Sequence, residues 1–429
     1  MTRDHSPAFA LSGACLFCVM LWAVLALPAS AAERTVTVDG DEVPVATYPA
    51  DGGRLALWIP AEYGVLEAYH ETARALQAEG VESWIADPYT TWFLPVASSS
   101  LDAIPDTLVG ALIDAAHEAT GKQVFLVSHD QGAAVALHGA QRWQRGGGRR
   151  EGLGGAVLVS PYLLEGTPEV GEEGRYLPIA RATNLPLYLL QPERSPLHPR
   201  LPDLKAALAV GGSDVFTHRL AGLRDRYFFR PDAMDREHAA ADELPGLLRN
   251  ALALLETQPA ARTAVPMAEG ERRSRTGRSE RLLAPYRGDP EPPPLALKGL
   301  DGGTRDLADR RGEVVLVNFW ASWCPPCVHE MPSMQRLADR YADRPFTILA
   351  VNLAEDEADV RAFVERHELR FPVLLDPAGE SIDAWKVFAY PTSYVIDHRG
   401  EIRYALFGAI DWLEPEVLKT IESLLDEAG

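Results

Sequence analysis

Between Glu256 and Pro294 the apolar periodicity of this chain stops. Pro259, Pro266, Pro285, Pro290, Pro292, Pro293 and Pro294 stand there with an arginine cluster, Arg272, Arg273, Arg275, Arg278 and Arg281. Such a segment buries too little apolar surface to offset the entropy of ordering it. It therefore divides the 429 residues into a first domain over 33–255, a linker over 256–294 and a second domain over 295–429. A chain of this length is expected to hold more than one core. The arginine cluster reads as a solvated linker face, with membrane phosphate or an acidic patch of the first domain as the alternative contact. No internal repeat is evident.

Residues Ala8 to Leu27 are almost uninterrupted apolar, and Pro28-Ala29-Ser30-Ala31-Ala32-Glu33 follows with the small residues that signal peptidase accepts. Residues 1–32 are thus a signal peptide, with the mature chain starting near Ala32 or Glu33. The alternative is an uncleaved N-terminal anchor, since the run approaches the roughly 20 residues that span a bilayer. Ser12-Gly13-Ala14-Cys15 lacks a Leu three before the cysteine, which argues against a lipoprotein signal. Either way the rest is exported, to a periplasm or cell envelope, with a membrane tether through the N-terminus as one option. A formal charge of −20 argues against nucleic acid or anionic lipid as a partner.

An oxidising compartment traps stray thiols, and this chain keeps few. Cys15 and Cys18 lie in the leader, which leaves Cys324 and Cys327 in Trp323-Cys324-Pro325-Pro326-Cys327. A disulfide closing so short a loop is a poor structural staple, because stabilisation grows with loop length in the chain-entropy model. Zinc needs four ligands, and His329 alone does not complete a site. The pair therefore reads as redox-active, with no metal and no cofactor beyond the disulfide itself. Val314 to Trp320 is a β-branched apolar run that predicts a buried strand, and Met331, Met334, Leu337 and Tyr341 recur at helical spacing after the cysteines. Cys324 then sits at a strand-to-helix junction, where free N–H groups and the helix dipole favour a thiolate. This makes Cys324 the nucleophile and Cys327 the resolving thiol.

Further on, strands are predicted at Phe346 to Val351, Phe371 to Leu375, Thr392 to Ile396 and Ile402 to Phe407, with helices at Glu357 to His367 and Trp412 to Leu425. This order is the thioredoxin plan with an extra helix between central strands. Val317-Asn318-Phe319-Trp320-Ala321-Ser322-Trp323-Cys324-Pro325-Pro326-Cys327, followed by Glu330-Met331-Pro332, resembles the thiol-disulfide reductases of the TlpA, ResA and CcmG type. The resemblance implies a thioredoxin-like fold over 295–429 and a cis X-Pro bond facing the cysteines, a place that Tyr390-Pro391-Thr392 occupies. Trp323, Tyr390 and Pro391 are then the substrate-side residues, with Trp320 and Trp323 shielding the disulfide. It also implies a buried acid on the inserted segment, matched by Glu355, which would take up and return the proton of the resolving thiol. The alternative makes Glu355 the exposed start of the next helix.

In the first domain, Leu55 to Ile59, Val81 to Ala86, Val124 to Ser128, Ala156 to Ser160, Leu187 to Leu190 and Val215 to Leu220 are apolar runs separated by helical stretches. Such alternation predicts an α/β domain with a parallel sheet covered on both faces. Ser128-His129-Asp130-Gln131-Gly132-Ala133-Ala134 resembles the nucleophile elbow of the α/β-hydrolase fold, with Asp130 where most members have Ser. An aspartate there implies an ester-forming mechanism that needs a histidine base. Leu220 to Asp225 carries none at the expected turn, so His218 or His238 would have to substitute, with Glu193 as the acid. The favoured reading is a catalytically dead hydrolase scaffold used for binding or docking, and a working hydrolase is the alternative.

The function expected is exported thiol-disulfide exchange that reduces disulfides of envelope proteins, regenerated by a membrane thiol-electron donor. Cytochrome c maturation is the task the resemblance most suggests. Pro325-Pro326 does not fix the potential, which spans roughly −270 to −120 mV across relatives of this fold.

Overall fold

The computed structural model describes residues 1, 31–148, 152–168, 170–259, 264–267, 283–353 and 355–428. The apolar leader with Cys15 and Cys18, and the arginine cluster at 272–281, lie outside the described residues. Among those described, no helix is long and apolar enough to cross a membrane.

The first sheet has eight strands: β1 (Ala32–Val38), β2 (Asp41–Tyr48), β3 (Arg54–Trp58), β4 (Glu82–Ala86), β5 (Gln123–His129), β6 (Leu153–Val159), β7 (Leu187–Arg194) and β8 (Val215–Arg224), in the order β1-β2-β4-β3-β5-β6-β7-β8. From β4 across to β8 all neighbours are parallel. Side chains alternate between two cores: Leu55, Leu57, Val124 and Leu126 join one, Ala56, Trp58, Phe125 and Val127 the other. Helices Leu108–Thr120 and Gly132–Arg145 cover the first face, and Glu67–Ala78 and Asp235–Glu256 the second.

The six strands expected there are present. The β1–β2 hairpin is an addition that the sequence reading did not include, although Val36, Val38, Val43 and Val45 alternate around Asp39-Gly40. Asp39 and Gly40 have φ of 51° and 98°, the positive values that a tight hairpin turn requires and Asp-Gly supplies.

The second sheet also has eight strands: β9 (Ala284–Pro285), β10 (Ala296–Gly299), β11 (Thr304–Asp306), β12 (Val314–Trp320), β13 (Phe346–Leu353), β14 (Val373–Asp376), β15 (Thr392–Ile396) and β16 (Ile402–Phe407), in the order β11-β10-β14-β13-β12-β15-β16-β9. Strands β12, β13 and β14 are parallel and the remaining pairings antiparallel. Every residue of β12 is buried, as a central strand with both faces covered must be.

Two expectations shift. The last helix begins at Pro415 rather than Trp412, with proline at its first position, where a missing N–H does no harm. Strand β14 starts at Val373, after Pro372, which has no N–H to give a ladder. Within the described part of 256–294, Val265 and Met267 pack on the first core, and β9 pairs with β16. Tyr286 then donates its N–H to the Arg403 carbonyl (2.9 Å) and meets Tyr394 edge-on at 5.9 Å. Prolines alone do not keep a segment loose when an aromatic side chain among them finds a core.

Candidate active site

Strand β12 delivers the chain to the turn Ala321-Ser322-Trp323, and the helix Pro325–Arg340 starts immediately after Cys324. Cys324 is the N-cap of that helix, and the Cys327 N–H points at its sulfur from 3.3 Å. The first turn of a helix has N–H groups without intrahelical partners, so a negative sulfur here is met by a donor and by the positive end of the helix. Cys324 and Cys327 are joined as a disulfide across a Cα–Cα distance of 5.3 Å. Cys324 is 6% exposed and Cys327 0%.

Tyr390-Pro391 is a cis peptide, and the Tyr390 ring meets Trp323 edge-on at 5.7 Å. Trp320 is fully buried and packs on Phe363 at 5.0 Å. Among the described residues, the Trp323 indole N–H is buried without a hydrogen-bond partner.

Glu355 and Glu330 are buried carboxyl groups of this domain. Glu355 is 5% exposed and accepts from the Ser322 N–H (2.7 Å), the Ser322 hydroxyl and Asn352 Nδ2 (2.7 Å). It thus ties the end of β13 to the turn that sets Cys324. Glu330 was not singled out from the sequence. It stands one turn beyond Cys327 on the same helix face, 2% exposed, and accepts from Asn318 Nδ2 (2.9 Å) and Trp412 Nε1 (3.2 Å). Burial pushes its pKa up to about 7, against the lowering effect of those two hydrogen bonds. The signal was available: Cys327, Glu330, Met331, Met334 and Leu337 form one stripe at helical spacing, and Glu330 is its polar member.

Residues 290–405 match the model of the AhpC/TSA family. The thioredoxin-like protein YneN of Bacillus subtilis is 41% identical over 127 residues, which is 29% of this chain and 74% of YneN. The thiol-disulfide oxidoreductase ResA of Geobacillus kaustophilus is 36% identical over 132 residues, 31% of this chain and 75% of ResA. The chain belongs to the thioredoxin-like thiol-disulfide oxidoreductases. Among solved structures, a putative thiol:disulfide interchange protein DsbE from Chlorobium tepidum is 31% identical, covering 34% of this chain and 99% of its own, with a TM-score of 0.29.

The oxidoreductase carries a second unusual turn in its first domain. Asp130 follows β5 with φ of 42°, a left-handed conformation that is costly for a residue with a side chain. Gly132 follows, where an added Cβ would meet Ser128 Oγ at 2.6 Å, Ala61 Cα at 2.9 Å and the Pro60 carbonyl at 3.0 Å. Gly132→Ala is expected to destabilise the first domain by about 1–3 kcal/mol, because two of those atoms are backbone. Denaturant unfolding checks this, and an unchanged midpoint would show that the turn opens freely.

The Asp130 carboxylate is held by His129 Nδ1 (3.0 Å) and Arg226 Nε (3.4 Å). The other ring nitrogen of His129 lies 2.6 Å from the Tyr69 hydroxyl. Glu193 accepts the Gly222 N–H at 3.0 Å. Beside this cluster, Asp225 is hydrogen-bonded to the Ser160 hydroxyl. Burial, and secondly the charge of Asp130, push the Asp225 carboxyl up to about 6.

Proposed function

We propose that this oxidoreductase is an exported enzyme that exchanges its dithiol with disulfides of envelope proteins, with Cys324 as the nucleophile. The observation that carries this reading is the asymmetry of the pair. Cys324 is the more exposed cysteine and has a helix N–H on its sulfur, while Cys327 is fully buried. The Cys324 thiolate attacks one sulfur of a client disulfide, forming the mixed disulfide and releasing the other client sulfur as a thiolate, which takes a proton. The Cys327 thiolate then attacks Cys324, closing Cys324–Cys327 and releasing the second client thiolate. Two electrons pass from the enzyme to the client.

In this reading Glu330 receives the proton of Cys327, since a carboxyl titrating near 7 can both take and return it at neutral pH. Glu355, with its oxygens on Ser322 and Asn352, positions the turn. Trp323, Tyr390 and Pro391 form the client side. A membrane thiol-electron donor would restore the dithiol, and cytochrome c maturation is the proposed task. The pre-reduced full chain is expected to form one Cys324–Cys327 disulfide for each client disulfide lost. Client thiols appearing without that disulfide would overturn the reading. A host strain carrying only Cys324→Ser is expected to lose haem staining of its c-type cytochromes, and intact staining would remove that task.

The first domain we read as a hydrolase-like scaffold without turnover. Asp130 pairs with His129 and Arg226, and His129 is engaged on its other nitrogen by Tyr69. An ester-forming carboxylate needs a free histidine to activate water, and neither His218 nor His238 is paired with Asp130. The full chain is expected to turn over no ester, epoxide or haloalkane. Turnover that disappears in Asp130→Ala would restore the hydrolase.

A further inference from the structure

Three buried arginines of the first domain end on the dithiol side of the second. Arg224, the last residue of β8 and 4% exposed, is gripped by Glu237 (Nε to Oε1, 2.7 Å) and by the Asp232 carbonyl (2.8 Å). Its Nη1 reaches the carbonyl of Trp323, the residue before Cys324, at 3.4 Å. Arg194, the last residue of β7 and 9% exposed, lies 3.7 Å from Asp359 and faces the charge of Glu355. Arg200, 8% exposed, pairs with Asp383 (3.5 Å), donates to the Val387 carbonyl (3.5 Å) and lies 3.7 Å above the Phe388 ring. Tyr390 is drawn in as well, its phenol raised by burial first and by Asp225 of the first domain next.

The groups so engaged surround the client side: the peptide leading into Cys324, the segment leading into Pro391, and Tyr390. A buried arginine is costly unless it is paired, and Arg194 and Arg200 meet their carboxylates, Asp359 and Asp383, across the seam, whereas the charge of Arg224 is met inside the first domain by Glu237 and only its Nη1 reaches over. Their partners Asp359 and Asp383 keep side-chain exposures of 60% and 51%, which leaves the seam polar and separable.

We propose that Arg194, Arg200 and Arg224 determine the specificity of the exchange reaction. They seat the first domain over the client side, so that small disulfides reach Cys324 while a protein disulfide must compete with the docked domain. This rests on the reading of Cys324 as nucleophile. Arg224 acts as a positioning residue through the Trp323 carbonyl. A docked fraction that excludes protein clients raises their apparent KM and leaves kcat alone.

The test is the full chain with Asp359→Lys and Asp383→Lys together, two half-exposed carboxylates outside the exchange chemistry, compared with wild type. Oxidised glutathione serves as the small disulfide and insulin as the protein one. The double variant is expected to lower KM for insulin by about five-fold, the factor that loss of a modest contact gives, with kcat and the glutathione rate unchanged. In wild type, added salt is expected to lower the insulin KM in the same direction. An unchanged insulin KM with a normal glutathione reaction would overturn the docking proposal alone. A raised insulin KM would also overturn it, and would make the first domain a recruiter. Absence of the glutathione reaction in both proteins would sink the nucleophile assignment, and the proposal with it.

Discussion

Cys324→Ser is expected to abolish exchange by the full chain, with turnover falling about a thousandfold or more. A serine hydroxyl has no helix-stabilised anion to offer at neutral pH and cannot form the mixed disulfide. The fold should survive, because the change removes no large side chain from the core and the N-cap is a position serine suits. Cys327→Ser should behave differently, keeping the first attack and losing the second. In the reduced wild type, alkylation should reach Cys324 before Cys327, in keeping with exposures of 6% and 0%. Peptide mapping after brief exposure to iodoacetamide measures this, and preferential labelling of Cys327 would reverse the roles.

Glu330→Gln is expected to flatten a pH dependence that the wild type shows. The folded carboxyl titrates at about 7 where the unfolded one titrates near 4.5. Between those values the folded state holds a proton that the unfolded state has released, so stability is full below about 4.5 and declines as pH rises through about 7. A gap of this size corresponds to roughly 3 kcal/mol. Urea unfolding with the disulfide intact should therefore show wild type losing that order of stability from pH 4 to pH 8, beyond any loss in Glu330→Gln. Parallel curves for the two proteins would contradict the assignment. The same substitution should slow resolution of the mixed disulfide about a hundredfold while leaving the first attack by Cys324 intact.

What was legible in the sequence followed from local physics. The bounds of β12, β15 and β16 are those the apolar runs predict. The cysteines were placed by the strand that ends and the helix that begins around them. The β1–β2 hairpin has the alternation and the Asp-Gly turn of a hairpin but no continuous apolar run, because its strands have one exposed face. Glu330 was overlooked for a related reason. A glutamate beside His329 reads as surface, and only the stripe it shares with Cys327 and Met331 marks it as buried. Arg194, Arg200 and Arg224 carried no signal at all, since each is one arginine among many until two domains are placed face to face.

The central claim, that Cys324 attacks and Cys327 resolves, is tested most directly by mixing reduced Cys327→Ser with a protein disulfide and measuring the product by mass spectrometry. A stable one-to-one mixed disulfide attached at Cys324 is the predicted result. An equal yield of adduct from Cys324→Ser, attached at Cys327, would contradict it.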